Sequence, residues 1–446
     1  MRLFRKHRFY KIIALLATVL FFECTPNFSD GQEHNQDDLN ARLNNPRNVI
    51  NGQMEEIETE PGKLRVFVVQ LKQEIGDCAM PQDFLSRIES IVESVQPYFS
   101  IKHPNLFVFP EYTGFMCCFS GTRGSGARQA HDVLSAFVAL AASYLPQISY
   151  YIGAYPDISP QRALFLALTD AVWRPFNETF SYIAKKHRIY VLAAAVVADA
   201  KISYEQDDVT FFVDPSILPQ DYVYLPQDQN VYNQAILFGP DGSILHKVRK
   251  VHLSGELENE IMDIEPGSAA DIKLFSLNGV NVGITVCLDT WYADIIDALV
   301  ADGMNFLVQL SADPAMWGHY TPPANYWESE AWYSGIWEAV QEHGEILFGA
   351  NSMLTGNLFE IPFDGQSSII ANSGETEDKG YIGTAYHDGF IALAPWVIDD
   401  PCDGKPNEIC RTIISDRSES LLLGGEHANE YVETVLWTDL DFEGLK

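Results

Sequence analysis

The stretch Val280–Asp294, VNVGITVCLDTWYAD, guides the interpretation of the whole chain. From residue 281 to 286, small or polar residues alternate with branched apolar ones, and this pattern predicts a buried strand. Cys287 stands where the pattern ends, so we expect its thiol at a strand end, facing a cleft. A buried structural cysteine is the alternative interpretation, because free cysteines are among the residues most often buried.

Two more predicted strands end at a charged residue. The apolar segment 105–109 is stopped by Pro110, and Glu111 follows it. The segment 235–251 predicts a hairpin around the turn 239–242, and Lys250 lies at the end of its second strand. Taken alone, each charged residue has a simpler interpretation as a hydrated strand end.

Strands and helices alternate along the chain, which predicts an α/β layered sheet. Ligands bind at the carboxyl ends of strands in such sheets, so Glu111, Lys250 and Cys287 are expected to meet in one cleft. The three side chains suit one chemistry. A thiol needs a neighbouring base or cation to react, a carboxylate can accept and return a proton, and a lysine can stabilise an oxyanion.

The composition excludes one class of partner. The chain has 61 acidic and 29 basic residues, a formal net charge of -32 that is spread along its length. Such a surface repels the phosphates of nucleic acids, so nucleic-acid binding is excluded. The length of 446 residues and the hydrophobic content of 47% are sufficient for a large packed core.

The N-terminus has the form of an export signal. A basic start, MRLFRKHRFYK, precedes the apolar run Ile12–Phe22, which is too short to span a bilayer comfortably. We expect residues 1–23 to be a signal peptide, with an N-terminal anchor that is not removed as the alternative. The protein is therefore predicted to be exported to the periplasm, the cell surface or the extracellular space.

Two further features concern the start of the mature chain. Cys24 stands where a bacterial lipoprotein carries its lipidated cysteine, although Phe22-Glu23 departs from the small residues expected before such a site. Residues 24–62 are polar and lack apolar periodicity, which predicts a flexible linker before a folded domain at 63–446. Contact with a membrane is expected only through an N-terminal anchor or a lipid on Cys24.

The other cysteines support one prediction about disulfides and one about metals. Cys402 and Cys410 flank a polar loop in PCDGKPNEIC, and we expect them to form a disulfide in an exported chain. CxxC pairs and clustered histidines are absent from the sequence, so no structural metal is expected. No sequence feature implies an organic cofactor.

The sequence resembles the nitrilase superfamily, the carbon-nitrogen hydrolases, in four blocks. They are VFPEYT around Glu111, YNQAILFGPDGSILHKVRKVHL with Lys250, GITVCLDTW around Cys287, and FDGQSSIIANSGE downstream. The resemblance runs in order from about Leu64 to Leu445. It implies an α/β fold, the αββα sandwich, which here carries insertions at 114–172 and 199–230.

The resemblance also implies a catalytic triad and two assisting groups. Cys287 is the implied nucleophile, Glu111 the general base and acid, and Lys250 the stabiliser of the tetrahedral intermediate. The backbone N–H of Leu288 is the implied oxyanion donor. Counted back from Glu265-Pro-Gly267, the assisting second glutamate is expected to be Glu260, and Glu256 and Glu258 are the alternatives.

The implied reaction is hydrolysis of a non-peptide carbon–nitrogen bond through a cysteine thioester. A small-molecule amide, an N-carbamoyl compound or a nitrile suits the triad, and the carbamoylase-like loop KVHLSGELENEIMDIEPG favours amides and ureides over nitriles. The two insertions are expected to roof the cleft. Candidates for the pocket wall, with packing in the core as the alternative for each, are Tyr112, Trp291, Trp317 and Asn351.

Two other functions remain open at this stage. An acyltransferase would use the same triad but pass the acyl group to an amine instead of water. A catalytically inactive surface binding protein would keep the fold without the reaction. Since members of the superfamily assemble through helix faces beside the sheet, a homo-oligomer is a further expectation.

Overall fold

The part of the chain that carries the folded domain is described by a computed structural model. The model covers residues 60–321, 326–372, 380–382, 388–399, 402 and 408–443. The predicted signal peptide or anchor at 1–23, Cys24 and nearly all of the predicted linker at 24–62 lie outside the described residues.

Strands supply the frame of the molecule, and the strands at 63–72 and 434–441, near the two ends of the domain sequence, pair side by side. The strands among the described residues are β1 (Lys63–Lys72), β2 (Asn105–Val108), β3 (Tyr190–Val197), β4 (Ala200–Ser203), β5 (Val223–Pro226), β6 (Tyr232–Phe238), β7 (Ile244–Arg249), β8 (Phe275–Leu277), β9 (Val280–Val286), β10 (Phe306–Ser311), β11 (Tyr320–Thr321), β12 (Tyr326–Trp327), β13 (Phe348–Leu358), β14 (Ile361–Phe363), β15 (Ser368–Ala371), β16 (Phe390–Leu393) and β17 (Thr434–Asp441).

Helices cover the sheet on both sides. The α-helices among the described residues are α1 (Pro81–Ser94), α2 (Gly121–Arg128), α3 (Val133–Ser143), α4 (Leu145–Ala154), α5 (Pro160–Ala167), α6 (Thr169–His187), α7 (Gln206–Phe212), α8 (Ala293–Ala301), α9 (Glu328–Tyr333), α10 (Ile336–Glu342) and α11 (Glu408–Ser420). A π-helix spans Gly255–Met262, and a short 3-10 helix spans Cys287–Trp291.

The main sheet has the strand order β7-β6-β3-β2-β1-β13-β10-β9-β8. From β3 to β9 the neighbouring strands in this order are parallel. β6 runs antiparallel to β3, and β7 runs antiparallel to β6, so β7 has the same direction as β2 and β9. The carboxyl ends of β2, β7 and β9 therefore point the same way, as the sequence predicted.

β1 shows how the sheet separates two apolar layers. Its branched and aromatic residues alternate between the two faces of the strand. Phe67 and Val69 pack with α1 and α6, whereas Val66 and Val68 pack with residues of β9, β10 and β13. On the far side of those strands, α8 and α10 contribute apolar side chains to the same cluster as Val66. The layers are helix, sheet, sheet and helix, so the predicted αββα sandwich is confirmed.

The two intervals predicted as insertions have structure of their own. Residues 114–172 form a 3-10 helix at Phe115–Phe119, the helices α2 to α5 and the start of α6. Residues 199–230 contain α7 and the antiparallel pair β4 and β5. Apolar side chains from both intervals belong to one buried cluster with α1 and α6. The intervals thus enlarge the core on the α1 and α6 side of the sheet.

The length and apolar content of the helices bear on whether one of them could span a membrane. Within the described ranges, no single helix is both long enough and apolar enough to cross a membrane. α3 and α4 satisfy those two criteria when taken together, but a bend of 77° separates them.

Candidate active site

Cys287 lies at the junction between β9 and the short 3-10 helix that follows. Its φ angle is 50°, in the left-handed region that non-glycine residues rarely adopt. Such a conformation costs about 1–3 kcal/mol and is typical of functional turns. The side chain is 5% exposed, and Gln309 Nε2 donates to the Cys287 carbonyl oxygen at 3.2 Å. The turn holds the thiol at the carboxyl edge of the sheet.

Glu111 follows β2 after two residues and is completely buried. Two donors bind the same carboxylate oxygen: Lys250 Nζ at 2.8 Å and Asn233 Nδ2 at 2.7 Å from Oε1. The other oxygen, Oε2, has no hydrogen-bond partner among the described residues. Since Oε1 is occupied, Oε2 is the oxygen that remains available to accept a proton.

Lys250 follows β7 and bridges two buried glutamates. Its Nζ is 2.8 Å from Glu111 Oε1 and 2.9 Å from Glu258 Oε2. Glu258 lies on the π-helix, where it also accepts from Asn233 Nδ2 at 2.6 Å and from the backbone N–H of Ser254 at 2.7 Å. The ammonium group is thus fixed between two carboxylates.

Glu258, one of the two stated alternatives to the expected Glu260, is the glutamate that lies beside Lys250, and the assisting role itself stays a prediction. Glu258 is completely buried beside Lys250, whereas Glu260 is exposed on the same helix. The sequence count failed because the segment forms a π-helix, which changes the direction of each side chain relative to an α-helix or an extended loop. The position of the Glu256 side chain lies outside the described part of the structure.

The pKa values of the two buried carboxyls reflect their environment. Burial, and then the nearby charge of Glu258, raise the pKa of Glu111 to about 7, against the opposing charge of Lys250. Burial also acts on Glu258, but Lys250 and the donors from Ser254 and Asn233 outweigh it, so the pKa of Glu258 is lowered. Glu258 is therefore ionised at neutral pH, and Glu111 can exchange a proton there.

The thiol and the ammonium complete the charge pattern. Burial and then the charge of Glu111 raise the pKa of Cys287 well above its usual value, so the resting thiol is protonated. Burial opposes the charge on Lys250, but electrostatic interactions with Cys287 in its ionised form, with Glu111 and with Glu258 outweigh it and raise the lysine pKa. The site holds a neutral thiol, a cation and a carboxyl group that can accept a proton near neutral pH.

Two residues that the sequence analysis did not single out organise this cluster. Asn233, in β6, uses one amide nitrogen to bind both glutamates. Asp289, in the turn after Cys287, accepts from the backbone N–H groups of Val251 and His252, the latter at 2.8 Å. Asp289 thereby joins the cysteine block to the lysine block. Both residues lie inside quoted motifs, and a polar residue within a buried strand or turn was the signal that could have found them.

The expected oxyanion donor, Leu288, is the second residue of the 3-10 helix that Cys287 begins. Backbone N–H groups in the first turn of a helix have no partner within the helix. Its position next to the thiol is compatible with the expected role, which stays a prediction.

The four expected pocket residues differ in the groups that they contact. Tyr112 is buried with a φ of 60°, and its hydroxyl contacts Glu258, so it belongs to the site. Trp317 is buried and donates to Gln366 Oε1 at 3.2 Å, and Asn351 accepts from Ser311 Oγ at 2.9 Å. Trp291 is half-buried and packs edge-on against another tryptophan. For these last three the structure shows packing and hydrogen bonding to other groups than the triad.

Cys402 Sγ lies 3.9 Å from the backbone oxygen of Cys410. The expected disulfide between these two residues stays a prediction. The flanking residues 403–407 lie outside the described part, so the path of the loop between the two cysteines is not described.

One group of side chains elsewhere has the geometry of a metal site. Within the described residues, the three possible ligands that converge are Glu89, Glu93 and His187. Lys186 Nζ already binds both carboxylates, at 2.6 and 2.8 Å. The ammonium group of Lys186 thus already pairs with the two carboxylates that a metal ion would need as ligands.

The sequence is similar to one protein family and to several curated proteins. The family model described as carbon-nitrogen hydrolase matches residues 65–361. The human Omega-amidase NIT2 is 31% identical over 98 residues, which are 20% of this chain and 35% of that protein. The Omega-amidase NIT2 of Xenopus tropicalis is 30% identical over 106 residues, 21% of this chain and 38% of that protein. The chain spans about a third of the length of these relatives.

Two solved structures match the chain at low sequence identity. A carbon-nitrogen hydrolase from Helicobacter pylori G27 superposes with a TM-score of 0.46 and 14% identity, covering 86% of this chain and 90% of that chain. A mutant of the Nesterenkonia AN1 amidase from the nitrilase superfamily has a TM-score of 0.43 and 14% identity, covering 87% of this chain and 94% of that chain.

Proposed function

The chain belongs to the carbon-nitrogen hydrolase family, whose model matches two thirds of it, and on this premise we propose that it hydrolyses small amides or N-carbamoyl compounds through a Cys287 thioester. The observation that carries the proposal is the arrangement of Cys287, Lys250 and Glu111 at three strand ends, with Lys250 Nζ fixed between Glu111 and Glu258. The chemistry below follows from that arrangement.

Acylation begins with transfer of the thiol proton. Because the Cys287 thiol is protonated at rest, it needs a base, and Glu111 Oε2 is a carboxylate oxygen without a hydrogen-bond partner among the described residues. The sulfur attacks the carbonyl carbon of the substrate as the proton moves to Glu111. Glu111 then passes that proton to the leaving nitrogen, and ammonia or an amine departs.

Deacylation uses the same carboxylate in reverse. Glu111, ionised again, accepts a proton from a water molecule, whose oxygen attacks the thioester carbon. The carbonyl forms again, the carbon–sulfur bond breaks, and the proton on Glu111 returns to Cys287. A pKa of about 7 suits a group that must both accept and donate a proton at neutral pH.

Lys250 and the backbone N–H of Leu288 stabilise the oxyanion that forms in both steps. The ammonium is ionised over the whole physiological range, since its pKa is raised. A donor that is fixed before the reaction stabilises developing charge without reorganisation, and loss of one such donor costs about 3 kcal/mol in other hydrolases. Glu258 and Asn233 fix the lysine and the base, so they act as positioning residues.

An assay with small amides, ureides and nitriles tests the proposed function. We expect turnover of amides or ureides by the natural protein and none by Cys287→Ala with an unchanged circular dichroism spectrum. Exclusive turnover of nitriles would overturn the substrate class. Transfer of the acyl group to an added amine, without free acid in its absence, would identify an acyltransferase instead.

The variants Lys250→Ala and Glu111→Gln extend that test to the triad. If the two residues act as one unit, the losses in kcat/KM should be far from additive when Lys250→Ala and Glu111→Gln are combined in one protein. Additive losses would show that Lys250 and Glu111 act independently of each other.

A further inference from the structure

Asp313 lies close to Cys287, although it is far from it in sequence. β10 runs parallel to β9, with Leu310 opposite Val286, so the two strands end at the same level. Asp313 follows the end of β10 by two residues and is 4% exposed. Burial, and then the charges of Glu328 and Asp364, raise the pKa of Asp313, with a smaller contribution from Glu111. Asp313 in turn makes a small contribution to the pKa of Cys287, which burial and Glu111 raise. The three residues therefore share one buried region.

The carboxylate of Asp313 is incompletely satisfied. A backbone N–H, that of Ala315, donates to it, but its Oδ2 atom has no hydrogen-bond partner among the described residues. A buried oxygen without a donor costs about 1–3 kcal/mol, more if it is charged. Such atoms are uncommon in native structures, and a functional role or a bound ion is among their explanations.

The groups around Asp313 are acidic. Glu328, the first residue of α9, is buried and accepts from the Thr321 hydroxyl. It also shares a hydrogen bond with Asp313, which requires one proton between the two carboxyl groups and leaves the pair with one negative charge. The contacts that lower the pKa of Glu328 come from that hydroxyl and from Asp313, not from a basic side chain. Asp364 and Glu111 add further negative charge when they are ionised. The nearby cation, Lys250, is already bound by Glu111 and Glu258.

Asp364 differs from Asp313 because its oxygens are fully used. It accepts from the Trp317 backbone N–H at 3.0 Å, from Trp396 Nε1 at 2.8 Å and from the Gly365 N–H at 2.8 Å. It therefore supports the loop instead of offering a free oxygen. Within the described residues, the acids at 313, 328 and 364 also do not converge as three metal ligands do. An organic cation fits the remaining oxygen better than a metal ion.

We propose that Asp313, supported by Glu328, binds an ammonium group of the substrate, so that this site hydrolyses amides or ureides that carry a protonated amine. The inference rests on the proposed function, because it places the scissile bond at Cys287. The ammonium would supply the donor that Asp313 Oδ2 lacks and the positive charge that the acidic region lacks. The net charge of -32 would also draw cations toward the protein.

The test compares matched substrates. Primary amides with an ω-amino group on chains of three to six carbons are each compared with the alkyl amide in which a methyl group replaces the ammonium. We expect the natural protein to favour the cationic amide of at least one length in kcat/KM, on the order of 10- to 100-fold, the value of a hydrogen bond to a charged group. Asp313→Asn should reduce that ratio at least about tenfold.

Two variants make the comparison specific. Glu330→Gln removes a charge from the same helix as Glu328, but Glu330 pairs with Arg411 at 3.4 Å, so the preference should survive. Glu328→Gln is the second test variant in case Asp313→Asn does not fold, and it should weaken the preference. A preference for the alkyl amide at every length, or one that Asp313→Asn and Glu328→Gln leave unchanged, would overturn the proposal.

Binding to Cys287→Ala separates failure of this inference from failure of the proposed function. By calorimetry, that variant should bind the cationic amide more tightly than its alkyl counterpart, and the double variant Cys287→Ala, Asp313→Asn should not. Equal binding at every length refutes the ammonium site. Selective binding without any turnover by the natural protein supports the ammonium site and refutes the hydrolase.

Discussion

The charge of Glu258 controls the pH at which Glu111 can accept a proton, and Glu258→Gln removes that charge. Asn233 Nδ2 binds one oxygen of each carboxylate, at 2.7 and 2.6 Å, so those two oxygens lie no more than about 5.3 Å apart. At an effective dielectric constant of about 20, unit charges at that separation repel by about 3 kcal/mol, or about two pKa units. The change should therefore lower the pKa of Glu111, which is about 7 in the natural protein.

The sign of the effect on reactivity follows from the role of Glu111. Below its pKa the carboxyl is protonated and cannot accept the Cys287 proton, so the rate of thiol alkylation rises with pH through that pKa. A lower pKa moves this rise to lower pH. Glutamine keeps an oxygen that can accept from Lys250, so the geometry of the ammonium is retained while the charge is lost.

The rate of iodoacetamide alkylation of Cys287 at each pH, followed by peptide mass spectrometry, shows where this rise lies. The assay needs no known substrate. Peptide resolution is needed because Cys78, Cys117 and Cys118 are also thiols. Glu260→Gln is the matched control, since Glu260 is exposed on the same helix. The reasoning is refuted if the rise in rate stays near pH 7 in Glu258→Gln, or if Glu260→Gln moves it equally.

Two further predictions concern the support of the site. Arg162 donates to the Asp263 carbonyl at 2.7 Å and to Glu265 at 2.9 Å, holding the end of the π-helix. Arg162→Ala should lower the free energy of unfolding by about 1–2 kcal/mol and slow Cys287 alkylation, and an unchanged melting curve would contradict this. Burial raises the pKa of Asp364 to about 7 from 3.8, so its protonated form is favoured on folding and its contribution to stability falls as pH rises across that window. The natural protein should lose about 1.4 kcal/mol per pH unit there relative to Asp364→Asn in denaturant titrations, and equal slopes would contradict this.

The sequence predicted the parts of the site that depend on strand ends. Glu111, Lys250 and Cys287 each follow a strand of apolar residues, and parallel strands bring their carboxyl ends to one edge whatever the loops do. The αββα layers followed from the same alternation of strands and helices together with the family resemblance. The local residue pattern was sufficient for these predictions because a strand that is buried on both faces has a nearly continuous run of apolar residues.

The parts that failed depend on geometry that residue patterns do not carry. Glu258 replaces Glu260 because the segment winds as a π-helix, and no spacing rule for an α-helix anticipates that. The sequence did not identify Asp313 and Asn233 as site residues, because a polar residue beside apolar ones has several explanations until its partners are known. Export of the chain and its assembly as a homo-oligomer remain predictions from the sequence.

The covalent step at Cys287 is the central claim, and intact-protein mass spectrometry tests it most directly. The protein is mixed with its best amide or ureide from the panel and quenched in acid during turnover. We predict a mass increase equal to the acyl group, located on the peptide that contains Cys287 and absent from Cys287→Ala. Continued hydrolysis by a folded Cys287→Ala variant, or an acyl group on another residue, would contradict the account.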